Sequence, residues 1–175
     1  MAEKLVPLIC EEAIAATVSR LAQELDRDYH SRSPLLVGIL KGSFIFLGDL
    51  VRNMKTPIRS IEFIRVSSYG SFTVSSGHAS VSMELPKEVV MGQDVVVVED
   101  IVDTGITTTT VLNYLKSYQP AALKLCALLD KPARRQVPVT IDYLGLTVSD
   151  RFVVGYGIDF DQKYRQLPAI YALEE

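Results

Sequence analysis

Hydrophobic and polar positions follow two different periods along this chain. Between residues 11 and 29, Ile14, Val18, Leu21 and Leu25 recur at helical spacing and predict a helix. Its start is weakly marked, because Cys10 stands where Ser, Thr or Asp would cap better. Leu35 to Leu40 is an apolar run that predicts a buried strand, and after the Lys41-Gly42-Ser43 turn a helix is predicted over Phe44 to Met54. Ser60 to Val66 alternates as a strand does. Val95, Val96, Val97 and Val98 stand in succession and cannot divide between an inner and an outer face. They predict a strand buried on both faces, as in a parallel sheet. A helix is predicted over Thr107 to Tyr118; its opening threonines are poor helix formers, so its first turn answers to packing or a ligand rather than to propensity. Leu123 to Leu129 and Phe152 to Tyr156 complete the predicted core strands. Strands alternating with helices predict an α/β fold around a mainly parallel sheet.

Composition narrows the class. The chain has 175 residues, 48% hydrophobic and 22% charged, enough for one domain with a substantial core. A net charge of −3 argues against a nucleic-acid partner, which calls for a basic excess. Cys10 and Cys126 are far apart and no C-x-x-C occurs, so neither a disulfide framework nor a zinc site is indicated. The start of the chain does not read as a signal peptide, and no apolar run approaches the ~20 residues that span a bilayer. The expectation is a cytoplasmic protein with no membrane partner. Residues 68–88 form a long polar stretch with glycines, the pattern of either a lid or a plain β-hairpin.

The chemistry concentrates after the valine run. Glu99, Asp100 and Asp103 follow it, then Thr104-Gly105 and a series of hydroxyls. In open α/β sheets ligands bind beyond the carboxyl ends of the strands. A tight turn opening a helix directs backbone N–H groups into a concavity that suits a phosphate. Neither G-x-x-x-x-G-K-[ST] nor G-x-G-x-x-G is present, so this is not a Walker or dinucleotide loop. Glu99 and Asp100 would repel a phosphate unless they face sugar hydroxyls or a Mg²⁺-bound ligand. Asp103-Thr104-Gly105 also matches the aspartic-protease triplet, but that chemistry needs two aspartates sharing a proton and leaves Glu99 and Asp100 without a task. Asp159-Phe160-Asp161 is superficially like a haloacid-dehalogenase motif, with Lys163 where Thr or Val is wanted. His30 and His78 have no partner at metal-ligand spacing.

The stretch Val95 to Thr108 resembles the phosphoribosyl-pyrophosphate motif of type I phosphoribosyltransferases. Leu40-Lys41-Gly42, Ser68-Tyr69-Gly70, Leu129-Asp130-Lys131-Pro132 and Arg151 to Asp159 are similar, in order, to the hypoxanthine-guanine phosphoribosyltransferase set. The resemblance covers nearly the whole chain. It implies a type I phosphoribosyltransferase fold over residues 1–175, a lid at about 68–88 and a small hood from the N-terminal segment and residues from about 150 onward. It implies a salvage enzyme that joins hypoxanthine or guanine to 5-phosphoribosyl-1-diphosphate with Mg²⁺, as a homodimer or homotetramer.

Roles follow from the same resemblance. Leu40, Lys41 and Gly42 would wrap the diphosphate through a non-proline cis peptide, with Arg165 as a further diphosphate ligand and Ser68 and Tyr69 at the inner edge of the lid. Glu99 and Asp100 would meet the ribose hydroxyls and support Mg²⁺. Asp103 would act near N7 of the purine as a proton-transfer group or electrostatically. Thr104, Gly105, Ile106, Thr107 and Thr108 would complete the 5′-phosphate loop. Lys131 would donate to the purine O6, which suits a 6-oxo and not a 6-amino group. Phe152 would stack on the base, Val153 would offer backbone contacts, and Asp159 would lie near a second Mg²⁺ and the base edge. Ile106 and Thr109 depart from relatives that carry Lys or Arg and an aliphatic there. Two rival readings are a transferase for xanthine or a pyrimidine, and an RNA-binding regulator on the same fold.

Overall fold

The computed structural model describes residues 4–68 and 79–174. In chain order its elements are β1 (Lys4–Ile9), α1 (Glu11–Asp28), β2 (Leu35–Leu40), α2 (Phe44–Asn53), β3 (Ser60–Ser68), β4 (Ala79–Met83), α3 (Lys87–Val90) and β5 (Asp94–Val102). There follow α4 (Ile106–Ser117), β6 (Ala122–Asp130), a 3₁₀ turn at Pro132–Arg134, β7 (Tyr143–Thr147), β8 (Val153–Val154) and β9 (Ile170–Glu174). No described helix is long and apolar enough to cross a membrane.

The main sheet has the order β4-β3-β2-β5-β6-β7, parallel except for the β3–β4 pair. The valine run lies at its centre, paired with β2 from Leu35↔Val95 to Gly38↔Val98. Each face of β5 feeds a different core. Val96 and Val98 pack with Ile14, Leu21, Leu25, Phe46 and Leu50 of α1 and α2, whereas Val95 and Val97 pack with Val111 and Leu115 of α4. The chain leaves β2 toward β3 on one side and β5 toward β6 on the other. A crevice therefore opens between the carboxyl ends of β2 and β5, the usual place for a ligand in a sheet of this kind.

Two sequence expectations change. The strand predicted at Val95–Val98 continues through Glu99 and Asp100 to Val102, because its backbone keeps pairing with β6 at Glu99↔Ala127, Ile101↔Leu129 and Val102↔Asp130. The acids are thus part of the strand rather than beyond it. Phe152–Tyr156 is not a core strand: only Val153–Val154 is extended, and it pairs with β9 in a separate antiparallel sheet of order β1-β9-β8. Positive φ at Gly155 (102°), Tyr156 (50°) and Gly157 (100°) ends the extended path there. That small sheet joins the two ends of the chain, from Lys4↔Glu174 to Ile9↔Ile170.

The stretch expected to form a lid is described at its two ends. Ala79–Met83 runs antiparallel to β3, with Ser68 opposite Ala79, and Lys87–Val90 forms a helical turn. Residues 69–78, Tyr69 among them, lie outside the described residues.

Phe46 is fully buried where α2 meets the sheet. Phe46→Ala should cost about 3–5 kcal/mol of stability, read from urea unfolding midpoints with unchanged slope.

Candidate active site

Adjacent residues on a strand point to opposite faces, and this separates the paired acids. Glu99 turns under α4, 5% exposed, where Thr108 Oγ1 donates to its Oε2 at 2.6 Å. Asp100 points to the other face, into the crevice, so close to Gly42 that a Cβ there would overlap its carboxylate. Burial pushes the Glu99 carboxyl up from 4.5 to about 8, against the Thr108 bond, with the charge of Asp100 adding to the rise. Burial likewise raises Asp100 to about 6; backbone N–H bonds and Arg165 oppose it.

The loop after β5 is held from outside its own strand. Gly105 caps α4 at φ 86°, and a Cβ there would approach the Val137 carbonyl oxygen to 2.6 Å, so both dihedral and space require glycine. The backbone N–H groups of Gln136 and Val137 donate to the Thr104 carbonyl at 2.9 and 3.0 Å. Arg135 Nε donates to the Asp103 carbonyl at 3.0 Å, and its guanidinium also pairs with Asp130. The Ile106 N–H is met at 3.3 Å by Thr104 Oγ1, and Thr107 is exposed at the second position of α4. The first N–H groups of a helix have no acceptor within it, so this end presents donors without any lysine. Thr108, predicted to touch phosphate, has its hydroxyl committed to Glu99, leaving its backbone to that role.

Across the crevice, the Leu40–Lys41 peptide is cis. Lys41 Nζ donates to Gln162 Oε1 at 3.2 Å. Arg165, predicted to bind diphosphate, pairs with Asp159 Oδ1 at 2.7 Å and donates to the Gly157 carbonyl at 2.8 Å. The other Asp159 oxygen accepts from the Gln162 N–H at 2.8 Å.

The residues predicted to recognise the base converge. A small open pocket of about 90 Å³ is lined by Asp103, Lys131, Phe152, Val153 and Asp159, together with Ile101 and Ile158. Lys131 is 3% exposed, and its Nζ lies 4.0 Å from Asp103 Oδ2. Arg134 Nη1 approaches the same oxygen at 3.9 Å, and Asp103 Oδ1 is buried with no hydrogen-bond partner among the described residues. A buried acceptor left open in a pocket is a place for a donor to bind. Phe152 is 45% exposed and meets Phe160 edge-on at 5.4 Å. Sequence reasoning missed Ile101 and Ile158, which carry no chemical signal. It also missed Arg135 and Gln162, whose roles depend on backbone groups far away in sequence.

No group of three metal-ligating side chains occurs among the described residues. Mg²⁺ does not need one: it takes one or two carboxylates and completes its shell with waters and substrate phosphates. Asp100 and Asp159 offer hard oxygens close enough to raise each other's cost of charge, and burial adds to that cost at Asp100. This donor set fits the ion.

Glu99 sets a pH dependence. Its folded-state value of about 8 lies above the ordinary 4.5, so across that window the folded protein holds more protons than the unfolded one. Stability therefore falls as pH rises through it. Without substrates, Tm should drop between about pH 5 and about pH 8, and Glu99→Gln, which keeps an acceptor for Thr108, should flatten that profile. A Gln variant with the same slope as the parent would remove Glu99 as its source.

Comparisons with known proteins agree with this geometry. The phosphoribosyl transferase domain matches residues 10–161. The chain is 41% identical over 174 residues to the hypoxanthine-guanine phosphoribosyltransferase of Aquifex aeolicus, covering 99% of this chain and 97% of that one. It is 42% identical over 167 residues to a bifunctional TilS/HprT protein of Listeria monocytogenes, where it spans only 26% of the relative's length. A crystal structure of a hypoxanthine-guanine phosphoribosyltransferase from Bacillus anthracis superposes with a TM-score of 0.90 at 37% identity, covering 99% and 100% of the two chains. A glycine-capped loop opening a helix, a facing cis-peptide turn and a lysine-aromatic pocket at one sheet crevice thus accompany likeness over nearly the full length: the chain belongs to the phosphoribosyl transferase family.

Proposed function

We propose that this protein transfers the 5-phosphoribosyl group from 5-phosphoribosyl-1-diphosphate to hypoxanthine or guanine, giving IMP or GMP and diphosphate. The observation that carries this reading is the pocket in which the Lys131 ammonium, the Asp103 carboxylate and the exposed Phe152 ring face one space beside the Thr104–Gly105 loop. Lysine only donates, so Lys131 selects a 6-oxo acceptor over a 6-amino group. Phe152 offers its ring to the purine face and Val153 its backbone to the base edge. The N–H groups at the start of α4, with Thr104, hold the 5′-phosphate.

In the reaction, the purine N9 forms a bond to C1′ while the bond from C1′ to the diphosphate oxygen breaks, the electron pair leaving with diphosphate. The proton on N7 must depart as N9 becomes the nucleophile, and the Asp103 carboxylate is the group placed to take it. The same carboxylate stabilises positive charge building on the ribose ring. Lys41 and the Leu40–Gly42 turn position the diphosphate, and Arg165 reaches it by exchanging its bond to Asp159. Asp100 and Asp159 would hold Mg²⁺, which neutralises charge on the diphosphate when bound.

The first test is nucleotide formation followed by ultraviolet absorbance with hypoxanthine, guanine, xanthine, adenine or uracil. Turnover should be rapid with hypoxanthine or guanine and lost in EDTA; no turnover with any base would refute the reading. Asp103→Asn should lower kcat by about 10²–10⁴-fold with little change in the affinity for phosphoribosyl diphosphate. Lys131→Ala should raise KM for hypoxanthine by about 10–100-fold and narrow its advantage over adenine; an unchanged base preference would count against its role.

A further inference from the structure

Two turns of the site meet back to back. Gly157 packs so tightly on the Gly42 carbonyl that a Cβ would overlap it, and its φ of 100° is one that side chains rarely adopt. Gly42 in turn lies against Asp100. The Lys41–Ser43 turn is therefore held between β5 and the Gly155–Asp159 turn, with no room for either neighbour to shift alone.

Close packing sets a distance but does not hold two turns together. Tyr156 lies between the two glycines with φ 50°, a conformation that costs energy for a bulky residue and persists only when the surroundings impose it. Its N–H donates to the Leu167 carbonyl at 2.8 Å. Its ring is 7% exposed, and its hydroxyl donates to Asp49 Oδ2 at 2.6 Å across a sequence separation of 107. Asp49 is on α2, the helix that begins where the Lys41–Ser43 turn ends. The ring belongs to the core cluster with Ile14 and Val18, and two open pockets of about 270 and about 310 Å³ share Tyr156 and Asp49 in their walls, so the bond lies at the edge of that packing. Burial and the neighbouring carboxylate both raise the phenol's pKa, which keeps it a donor.

We propose that Tyr156, acting through Asp49, is a positioning residue: the bond ties the turn that carries Asp159 and borders the base pocket to the helix that carries the diphosphate turn. It fixes the spacing between the two halves of the site. This inference rests on the function proposed above.

Tyr156→Phe is the clean variant, because the ring stays and the Asp49 side chain, 40% exposed, is left hydrated rather than stranded. KM for phosphoribosyl diphosphate should rise about tenfold while kcat stays within about twofold, the signature of lost positioning of a bound group. Asp49→Ala should do the same, Asp49→Asn, which keeps an acceptor, should restore KM, and the double variant should be no worse than either single one. Hydrogen exchange at the amides of Gly42, Ser43 and Phe44 should be faster in Tyr156→Phe, whether or not substrates are present. A variant that only lowers Tm, with KM and those amides unchanged, would overturn the inference. A wild-type protein that turns over no base would overturn the proposed function alone, and exchange at those amides would still decide this one.

Discussion

A strand covered on both faces can place charge only near its end, and β5 is such a strand. Its valines are fully buried between α1 and α2 on one side and α4 on the other. Where β2 and β5 send their connections in opposite directions, the cover parts and polar groups can reach a ligand. Every part of the site is attached to this point: the acids by continuing the strand, the loop of Asp103–Gly105 by following it, and the Lys41–Ser43 turn by leaving the strand paired beside it.

Electrostatics at that point are balanced internally and weakly. Asp103 has cations at 4.0 and 3.9 Å, beyond hydrogen-bonding distance, whereas Arg165 and Asp159 are in close contact. An ion pair that opens costs less when both members gain new partners, and under the proposed function an anionic diphosphate with its counter-ion would give one to each. Glu99 and Asp100 differ from these groups. Their charge is disfavoured by burial, Glu99 beneath α4 and Asp100 in the crevice.

Much of this was legible in the residues. The valine run, the α1 periodicity and the Thr104–Gly105 turn each have a local cause, and each lies where that cause places it. The resemblance assigned Lys131, Phe152, Val153 and Asp159 to the base, and these four line one pocket with Asp103. The failures share a physical reason. β1 and β9 pair across the whole chain, and neither shows strong alternation. The extension of β5 through two acids contradicts propensity and is imposed by pairing with β6. Phe152–Tyr156 has strand composition, yet Gly155 and Gly157 turn it out of the extended region. Arg134 and Arg135 stand side by side with no local signal of a partner, yet Arg135 gives its guanidinium to Asp130 and to the carbonyls of Val102 and Asp103.

That last contact bears on how such a protein can vary. Surface connections normally absorb insertions and deletions, since nothing depends on their length. The connection from Lys131 to Val139 is different. It delivers Arg135, Gln136 and Val137 in consecutive positions to Asp103, Thr104 and Gly105, two of them through backbone N–H groups that no side-chain change can replace. Adding or removing one residue before Gln136 would slide those donors off the Thr104 carbonyl whatever the new sequence. The two segments, separated by more than a helix and a strand, are therefore inherited as one part: the length of the connection is fixed together with the side chains of Lys131 and Arg135, and drift is left to the others along it.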